Sequence, residues 1–293
     1  MKVNSRFRLF SLTSIWLWMG VFALMPNIAL FLVTFLDRSE TDFFIPVFTL
    51  DNYARLFDPA FMTIFFESMR LAGISTLVCL LTGYPFAYLM ARAGERIRPW
   101  LLLLVIIPFW TNSLIRTYAL IIILKSQGVI NKLLNLAGIV EGQYSLMYGD
   151  LAVFIGLTYT MLPFMILPLY ASIEKLDTNL LDAARDLGAG PFRSFLHVTL
   201  PLTSPGIVAG CILVFLPSLG MFYVPEILGG AKTMLLGTFI KNQFLIARDW
   251  PLGAAASTIL TLLLVLLALI YKFASKKTAS ENELASTAEP GGD

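Results

Sequence analysis

The sequence predicts an all-α membrane protein with six transmembrane helices. Of its 293 residues, 57% are hydrophobic and only 14% are charged, which is more apolar surface than a soluble domain of this size has to bury. The apolar residues fall into long stretches, separated by segments that hold most of the charges. Because about 20 apolar residues in a helix span the hydrocarbon core, each of these stretches is long enough to cross a bilayer.

The first stretch, residues 9–36, follows a basic N-terminal arm at residues 1–8. It is longer than the apolar region of a signal peptide and lacks a small-residue cleavage site, so we expect it to remain as a transmembrane helix. A polar, acidic loop follows at residues 37–66. The five further spans are predicted at residues 71–91, 99–124, 151–173, 205–225 and 252–271. Residues 275–293 are rich in Lys, Ser, Thr, Glu and Gly, which predicts a disordered tail.

The distribution of basic residues predicts the orientation of the spans. The N-terminal arm, the turn at 92–98, the loop between the fourth and fifth spans, and the start of the tail each carry three Lys or Arg. The segment 37–67 carries two arginines against six carboxylates. Since cytoplasmic loops are enriched in Lys and Arg, we expect both termini to be cytoplasmic and the loop 37–66 to be periplasmic.

An amphipathic segment, residues 178–201, lies between the fourth and fifth spans. Asp177 or Thr178 can cap its first helix, in which leucines and alanines recur at helical spacing. Gly188 and Gly190 then interrupt this helix, and Pro191 can begin a second, short one. A helix–glycine–helix element with a mixed surface is suited to dock a soluble partner, or to lie on the lipid interface, and the pattern alone favours neither.

Two clusters in the outer halves of the third and fifth spans combine aromatic and polar side chains. Aromatic faces beside a carboxylate are suited to an organic cation, although an interfacial aromatic belt has the same composition. The candidate pathway residues in these clusters are Trp110, Asn112, Tyr223 and Glu226.

Arg116 is a charge within the predicted third span. A charge at the bilayer centre costs roughly 2.5 to 3.5 kcal/mol, so it requires a compensating interaction. The side chain can reach the interface by snorkelling, or it can pair with Glu67 or Glu226.

Prolines and glycines in the fourth and fifth spans have two different predicted roles. The prolines free backbone carbonyls, which either neighbouring helices or a water-filled pathway must satisfy. Gly206 and Gly210, four residues apart, indicate ordinary close packing of two helices.

The reactive side chains argue against a membrane enzyme. Cys79 and Cys211 lie inside predicted spans and are interpreted as small core residues. His197 has no clustered Cys, His or carboxylate neighbour in the sequence, so neither a metal site nor a general base is predicted there. No phosphate-binding G-x-x-x-x-G-K-[ST] loop is present. A sensor or scaffold would need a larger soluble output domain than the loops and the tail provide.

The amphipathic segment also carries a recognisable spacing of residues. Asp182-Ala183-Ala184, then Gly188, and then, after nine intervening residues, Val198-Thr199-Leu200-Pro201 resemble the EAA signature of ABC importer permeases. Asp182 stands where that signature usually has Glu, and Val198 where it has Ile. Six further segments resemble the PotB-type spermidine/putrescine permease family, namely residues 48–53, 83–87, 108–116, 172–177, 229–232 and 248–255. The similarity runs from about residue 9 to residue 271, and residues 108–116 and 249–251 are its most specific parts.

This resemblance implies a type I ABC importer permease fold, with residues 67–274 as the transmembrane core and residues 178–201 as its cytoplasmic coupling element. The chain would import polyamines across the bacterial inner membrane without being an enzyme, and it would hold no cofactor, because ATP-Mg would be bound by a separate ATPase. The implied partners are a homologous second permease (PotC-like), two ATPase subunits (PotA-like), a periplasmic polyamine-binding protein (PotD-like) and membrane lipid, but no nucleic acid. The coupling element by itself fits an importer of another small solute, such as an anion, a metal or a sugar, equally well. The residues that would contact the ATPase are Asp182, Ala183, Ala184, Arg185, Asp186, Leu187 and Gly188.

Overall fold

The computed structural model describes residues 5–39, 42–138, 145–230 and 233–287. Parts of the predicted N-terminal arm and tail, and residues 231–232 of the segments that carry the resemblance, lie outside these ranges. The described parts of Met1–Thr63 and Phe239–Leu263 form one compact unit, here unit 1. Those of Ile64–Thr238 and Leu264–Asp293 form another, unit 2.

The described residues are predominantly helical. The helices are α1 (Ser5–Met19), α2 (Met25–Val33), α3 (Asp51–Arg55), α4 (Pro59–Arg92), α5 (Arg98–Trp110), α6 (Ser113–Leu124), α7 (Val129–Leu136), α8 (Asp150–Glu174), α9 (Thr178–Asp186), α10 (Pro191–Ser194), α11 (Leu200–Gly220), α12 (Leu236–Leu245) and α13 (Trp250–Thr287). π-helical turns occur at Gly20–Leu24, Phe195–Thr199 and Pro225–Gly229. By length and composition, six helical stretches of the described residues can cross a membrane, as predicted.

The third predicted span, residues 99–124, is not one continuous helix. α5 ends at Trp110 and α6 begins at Ser113, with extended backbone at Thr111 and Asn112. The Asn112 side chain accepts a hydrogen bond from the backbone N–H of Leu114, 2.8 Å away, and so caps α6. The long apolar run predicted one continuous helix. Asn112 instead starts a new helix within that run, because its short polar side chain competes for the backbone groups.

Other boundaries also differ from the prediction. The helix that contains the second span begins at Pro59, well before residue 71. The fifth ends at Gly220, where the backbone of Met221 becomes extended. The last helix continues to Thr287, so the prediction of a disordered tail from residue 275 is wrong for the described residues 275–287. The helix continues because no Gly or Pro interrupts the sequence between 272 and 287, and a helix already nucleated in a span extends by one hydrogen bond per residue.

The core of unit 2 is built around α8, which packs against α5, α6 and α11. The α8–α11 contact is the closest, because two glycines of α11 face α8. A Cβ on Gly206 would lie 2.4 Å from the Cβ of Ser172, and one on Gly210 would lie 2.7 Å from the Sδ of Met165. The predicted role of these glycines in close helix packing is thus confirmed.

Unit 1 is organised around the buried carboxylate of Asp249, at the start of α13. Its Oδ2 lies 2.7 Å from Nη2 of Arg55 and 3.9 Å from Nη1 of Arg38. Its Oδ1 accepts a hydrogen bond from the backbone N–H of Leu252, which caps the helix. A two-stranded antiparallel ladder, Leu36–Asp37 (β1) with Ile45–Phe48 (β2), lies in the same unit.

Candidate functional site

The coupling element, residues 178–201, has the local structure that its sequence predicts. The side chain of Asp177 accepts a hydrogen bond from the backbone N–H of Asn179 (3.0 Å) and caps α9. At the other end, the N–H groups of Gly188 and Ala189 donate to the carbonyls of Arg185 and Ala184, which is the Schellman arrangement. This arrangement needs a left-handed residue, and Gly188 supplies it with φ of +81°. Pro191 then begins α10.

Most of the predicted ATPase-contacting residues are exposed on this element. Only Ala184 among Asp182–Gly188 is partly covered. Asp182 and Arg185 form an exposed ion pair one helical turn apart, with Oδ1 and Nη1 at 2.8 Å. Leu187 is 89% exposed, and Phe192 beyond the glycines is 73% exposed. A corner with two large, uncovered apolar side chains flanked by charges is a surface suited to a protein partner.

Phe192 was not predicted as a docking residue. The side chains of Phe192 and Phe195 have different surroundings in the structure. Phe195 stacks edge-on against Tyr84 of α4, with ring centroids 5.6 Å apart, whereas Phe192 points away from the core. Helical spacing alone does not tell which apolar side chain faces the protein when the helix has only four residues.

The coupling element is firmly joined to the spans beside it. Leu181 is buried, and the Tyr84 hydroxyl lies 2.9 Å from Oγ1 of Thr203 in α11. Helical structure runs without interruption from Pro191 through the π-helical turn to Gly220. The second part of the element, from Pro191 onward, is therefore continuous with α11.

The first pair of predicted pathway residues lies at the break between α5 and α6, here called the first break (residues 111–112). Trp110 is 76% exposed at the last position of α5. Asn112 is also exposed, but its side-chain oxygen is engaged in capping α6. An interrupted transmembrane helix exposes backbone groups, which is how many transporters build a site within the bilayer.

The second pair lies after a corresponding break at residues 221–222, here called the second break. Tyr223 is half-buried, and Glu226 is exposed in the π-helical turn Pro225–Gly229. This break is tightly covered: a Cβ on Gly237 would lie 2.4 Å from the Gly220 carbonyl oxygen. α6 packs against the Pro225–Gly229 turn, so the structure brings the elements that follow the two breaks together.

Arg116 of α6 lies over the ring of Tyr159 in α8, with its Cζ 6.0 Å from the ring centroid. Glu67, one of its two predicted partners, instead pairs with Arg70 at 2.6 Å. The aromatic face of Tyr159 was not anticipated, because nothing in the spacing of the two residues links them.

A cavity of about 250 Å³ lies between α4, α5 and α8, beside the first break. Its lining is apolar except for the hydroxyl groups of Thr82 and Tyr159, and two of the transmembrane prolines contribute to it. The lining residues are Thr82, Phe86, Leu104, Val105, Pro108, Tyr159, Leu162, Pro163 and Ile166. No carboxylate lines the cavity, so its lining alone does not neutralise the charge of a cation.

Across the described ranges, no three His, Cys, Asp or Glu side chains come together in a way that could hold a metal ion. Cys79 and Cys211 are both free thiols, and Cys79 is buried, as expected for small core residues.

Comparison with known proteins gives concordant results. The family described as the binding-protein-dependent transport system inner membrane component matches residues 83–279. The spermidine/putrescine transport system permease protein PotB of Salmonella typhimurium (strain SL1344) is 50% identical over 276 residues, which cover 94% of this chain and 96% of that protein. PotB of Haemophilus influenzae is 47% identical, covering 96% of this chain and 99% of that protein. A solved bacterial alginate ABC transporter in complex with an alginate pentasaccharide-bound periplasmic protein has a chain with a TM-score of 0.71 at 18% identity, covering 92% of this chain and 94% of that one, which is a likeness of fold.

Proposed function

Because the chain belongs to the family of binding-protein-dependent transport system inner membrane components, we propose that it is the permease subunit of an ATP-driven polyamine importer, with spermidine and putrescine as substrates. The observation that carries the proposal is the 50% identity to a spermidine/putrescine permease, because it extends over 94% of the chain. A likeness limited to the coupling element would indicate an importer without indicating its substrate.

The proposed complex contains a second, homologous permease, two ATPase subunits that bind ATP-Mg, and a periplasmic polyamine-binding protein. Both termini and the coupling element face the cytoplasm. The exposed corner around Gly188, with Leu187 and Phe192, supports docking of the ATPase at this element. Closure of the ATPase pair would displace the element, and α11 would follow because the helix from Pro191 to Gly220 is continuous.

The substrate pathway runs along the first and second breaks. Trp110 and Tyr223 offer aromatic faces to ammonium groups, and Glu226 offers a carboxylate. The adjoining cavity carries hydroxyl groups but no carboxylate. A polycation therefore needs further acidic groups, and we assign these to the facing wall formed by the second permease.

The decisive experiment is solute uptake and ATP hydrolysis by the complete complex in liposomes. Spermidine, putrescine, sulfate and maltose would each be supplied with the cognate binding protein. Stimulation by a polyamine alone supports both the importer mechanism and the substrate class. Stimulation by sulfate or maltose instead would retain the importer and refute the polyamine assignment.

Two variants test the proposed coupling residues in the same assay. Asp182→Lys reverses a charge on the exposed face of α9, and Gly188→Pro removes the left-handed conformation at its end. We expect both proteins to reach the membrane and to lose uptake. Glu95→Lys, a charge reversal at an exposed position outside the element, serves as the control. Uptake at the wild-type rate by Asp182→Lys would remove α9 from the ATPase interface.

A further inference from the structure

Three helices of unit 2 are joined by one ion pair at the end that carries the coupling element. Nη1 of Arg98, the first residue of α5, lies 2.9 Å from Oε1 of Glu174, the last residue of α8. Nη2 of the same arginine donates to the carbonyl of Ala91, in the last turn of α4, at 3.0 Å. The hydroxyl of Tyr170 donates to the same Oε1 of Glu174 at 2.6 Å.

Both charges sit where their own helices disfavour them. The N-terminus of a helix carries partial positive charge and disfavours a cation, yet Arg98 begins α5. The C-terminus carries partial negative charge and disfavours an anion, yet Glu174 ends α8. The stability of the individual helices therefore does not explain why a charge stands at either position. The ion pair between α5 and α8 explains both charges.

The pair is also only partly hydrated. The side chains of Arg98 and Glu174 are 31% and 39% exposed, and Nε of Arg98 is buried without a hydrogen-bond partner among the described residues. Fully exposed ion pairs contribute little. A guanidinium that is partly withdrawn from water, and that bridges a carboxylate and a backbone carbonyl, is held in one geometry.

This ion pair lies directly beside the coupling element. Glu174 precedes by three residues the Asp177 side chain that caps α9. α8 is also packed against α11 through Gly206 and Gly210, and α11 continues from the element itself. α8, α11 and the element thus form one packed group, and the Arg98–Glu174 contact attaches the start of α5 to it.

α5 is short enough to act as a lever. Its 13 residues correspond to about 20 Å, and at Trp110 it ends at the first break, where the extended backbone interrupts the helix. α5 also contacts α8 near this end, where the ring centroids of Phe109 and Phe164 are 4.9 Å apart. Because the helix is interrupted after Trp110, however, a tilt of α5 is not carried into α6 by a continuous helical backbone. Since Trp110 stands at the interrupted end, tilting α5 would move a predicted pathway residue.

We propose that Arg98 and Glu174 are positioning residues for transport, which make α5 follow the coupling element and thereby move the pathway wall at the first break. The inference rests on the proposed importer function, but not on which solute is carried. Without the Arg98–Glu174 ion pair, the ATPase would still dock and hydrolyse ATP, but its closure would no longer move α5.

The test compares solute imported per ATP hydrolysed in liposomes that contain the full complex. We expect Glu174→Gln and Arg98→Gln to keep binding-protein-stimulated ATP hydrolysis and to lower this ratio roughly tenfold, the factor that corresponds to one lost hydrogen bond between charged groups. Arg98→Lys, which keeps the charge but loses the fork that reaches both Glu174 and Ala91, should show a smaller loss. Glu95→Gln, exposed in the same turn, should leave the ratio unchanged.

The reversed pair, Arg98→Glu with Glu174→Arg, separates a positioning role from general damage. It restores the attraction and places each charge at the helix end that favours it, so it should recover most of the ratio. A reversed pair no better than the single variants, or single variants with the wild-type ratio, would overturn the inference. Wild-type liposomes that import another solute would refute the polyamine assignment alone, and the ratio for that solute would still test Arg98 and Glu174.

Discussion

Gly206 of α11 and Ser172 of α8 are so close that any side chain on the glycine would overlap the serine. A Cβ at position 206 would lie 2.4 Å from the Cβ of Ser172 and 2.9 Å from the backbone oxygen of Pro168. The backbone oxygen cannot turn away, so the two helices would have to separate. The contact therefore depends on the absence of a side chain at position 206.

Gly206→Ala should therefore destabilise the protein by about 1–3 kcal/mol, the usual cost of overpacking a core. Thermal unfolding of the purified protein in detergent would measure the effect. Gly73→Ala is the matched control, because nothing lies within 4 Å of a Cβ at Gly73 of α4. There the gain in helix propensity should leave the stability equal or slightly higher. Equal stabilities of the two variants would contradict the close approach of α8 and α11.

Gly188 and Gly190 make a second matched pair, in which backbone conformation is the only difference expected to matter. A Cβ has open space at both positions, but φ is +81° at Gly188 and −65° at Gly190. Gly188→Ala should cost about 1–2 kcal/mol of local strain and lower uptake by loosening the end of α9. Gly190→Ala should transport like the wild type. Uptake of labelled polyamine into the same liposomes compares them, and equal loss in both variants would point away from the left-handed turn.

Asp249 should be the most sensitive charge in unit 1, because it is buried and serves two purposes. It pairs with Arg55 and caps α13. Asp249→Ala loses both interactions and leaves Arg55 without its partner, so we expect it to be destabilised by about 2–4 kcal/mol. Asp249→Asn keeps an oxygen for the cap and should lose less. Thermal unfolding of both variants gives the comparison, and equal losses would show that capping contributes nothing here.

The sequence predicts those structural features that depend only on residues close together in the chain. The cap at Asp177, the glycine turn at Gly188 and the start of α10 at Pro191 all follow from local backbone chemistry, and the structure has each of them. Six apolar stretches follow from the length needed to cross a bilayer.

The sequence does not predict the ion pairs that join distant parts of the chain. Arg55 and Asp249 are 194 residues apart, and from the sequence Arg55 was only a charge in a loop. Arg98 was counted as a topology signal, and its contact with Glu174 appears only once α5 and α8 are packed. The first break was missed for another reason: the apolar run outweighed a single capping side chain at Asn112.

Asn112 gives the sharpest test of the predicted pathway, because its capping role offers an alternative to substrate contact. Asn112→Ser keeps a side-chain oxygen that can cap α6 but removes the carboxamide, whereas Asn112→Ala removes both. If the carboxamide contacts the polyamine, uptake should fall similarly in both variants, while thermal stability should fall only in Asn112→Ala, by about 1 kcal/mol. If Asn112→Ser takes up spermidine and putrescine with the wild-type KM and rate, the carboxamide makes no substrate contact and Asn112 acts as a helix cap. Measuring uptake and unfolding on the same preparations separates these outcomes, because capping changes stability and substrate contact changes KM.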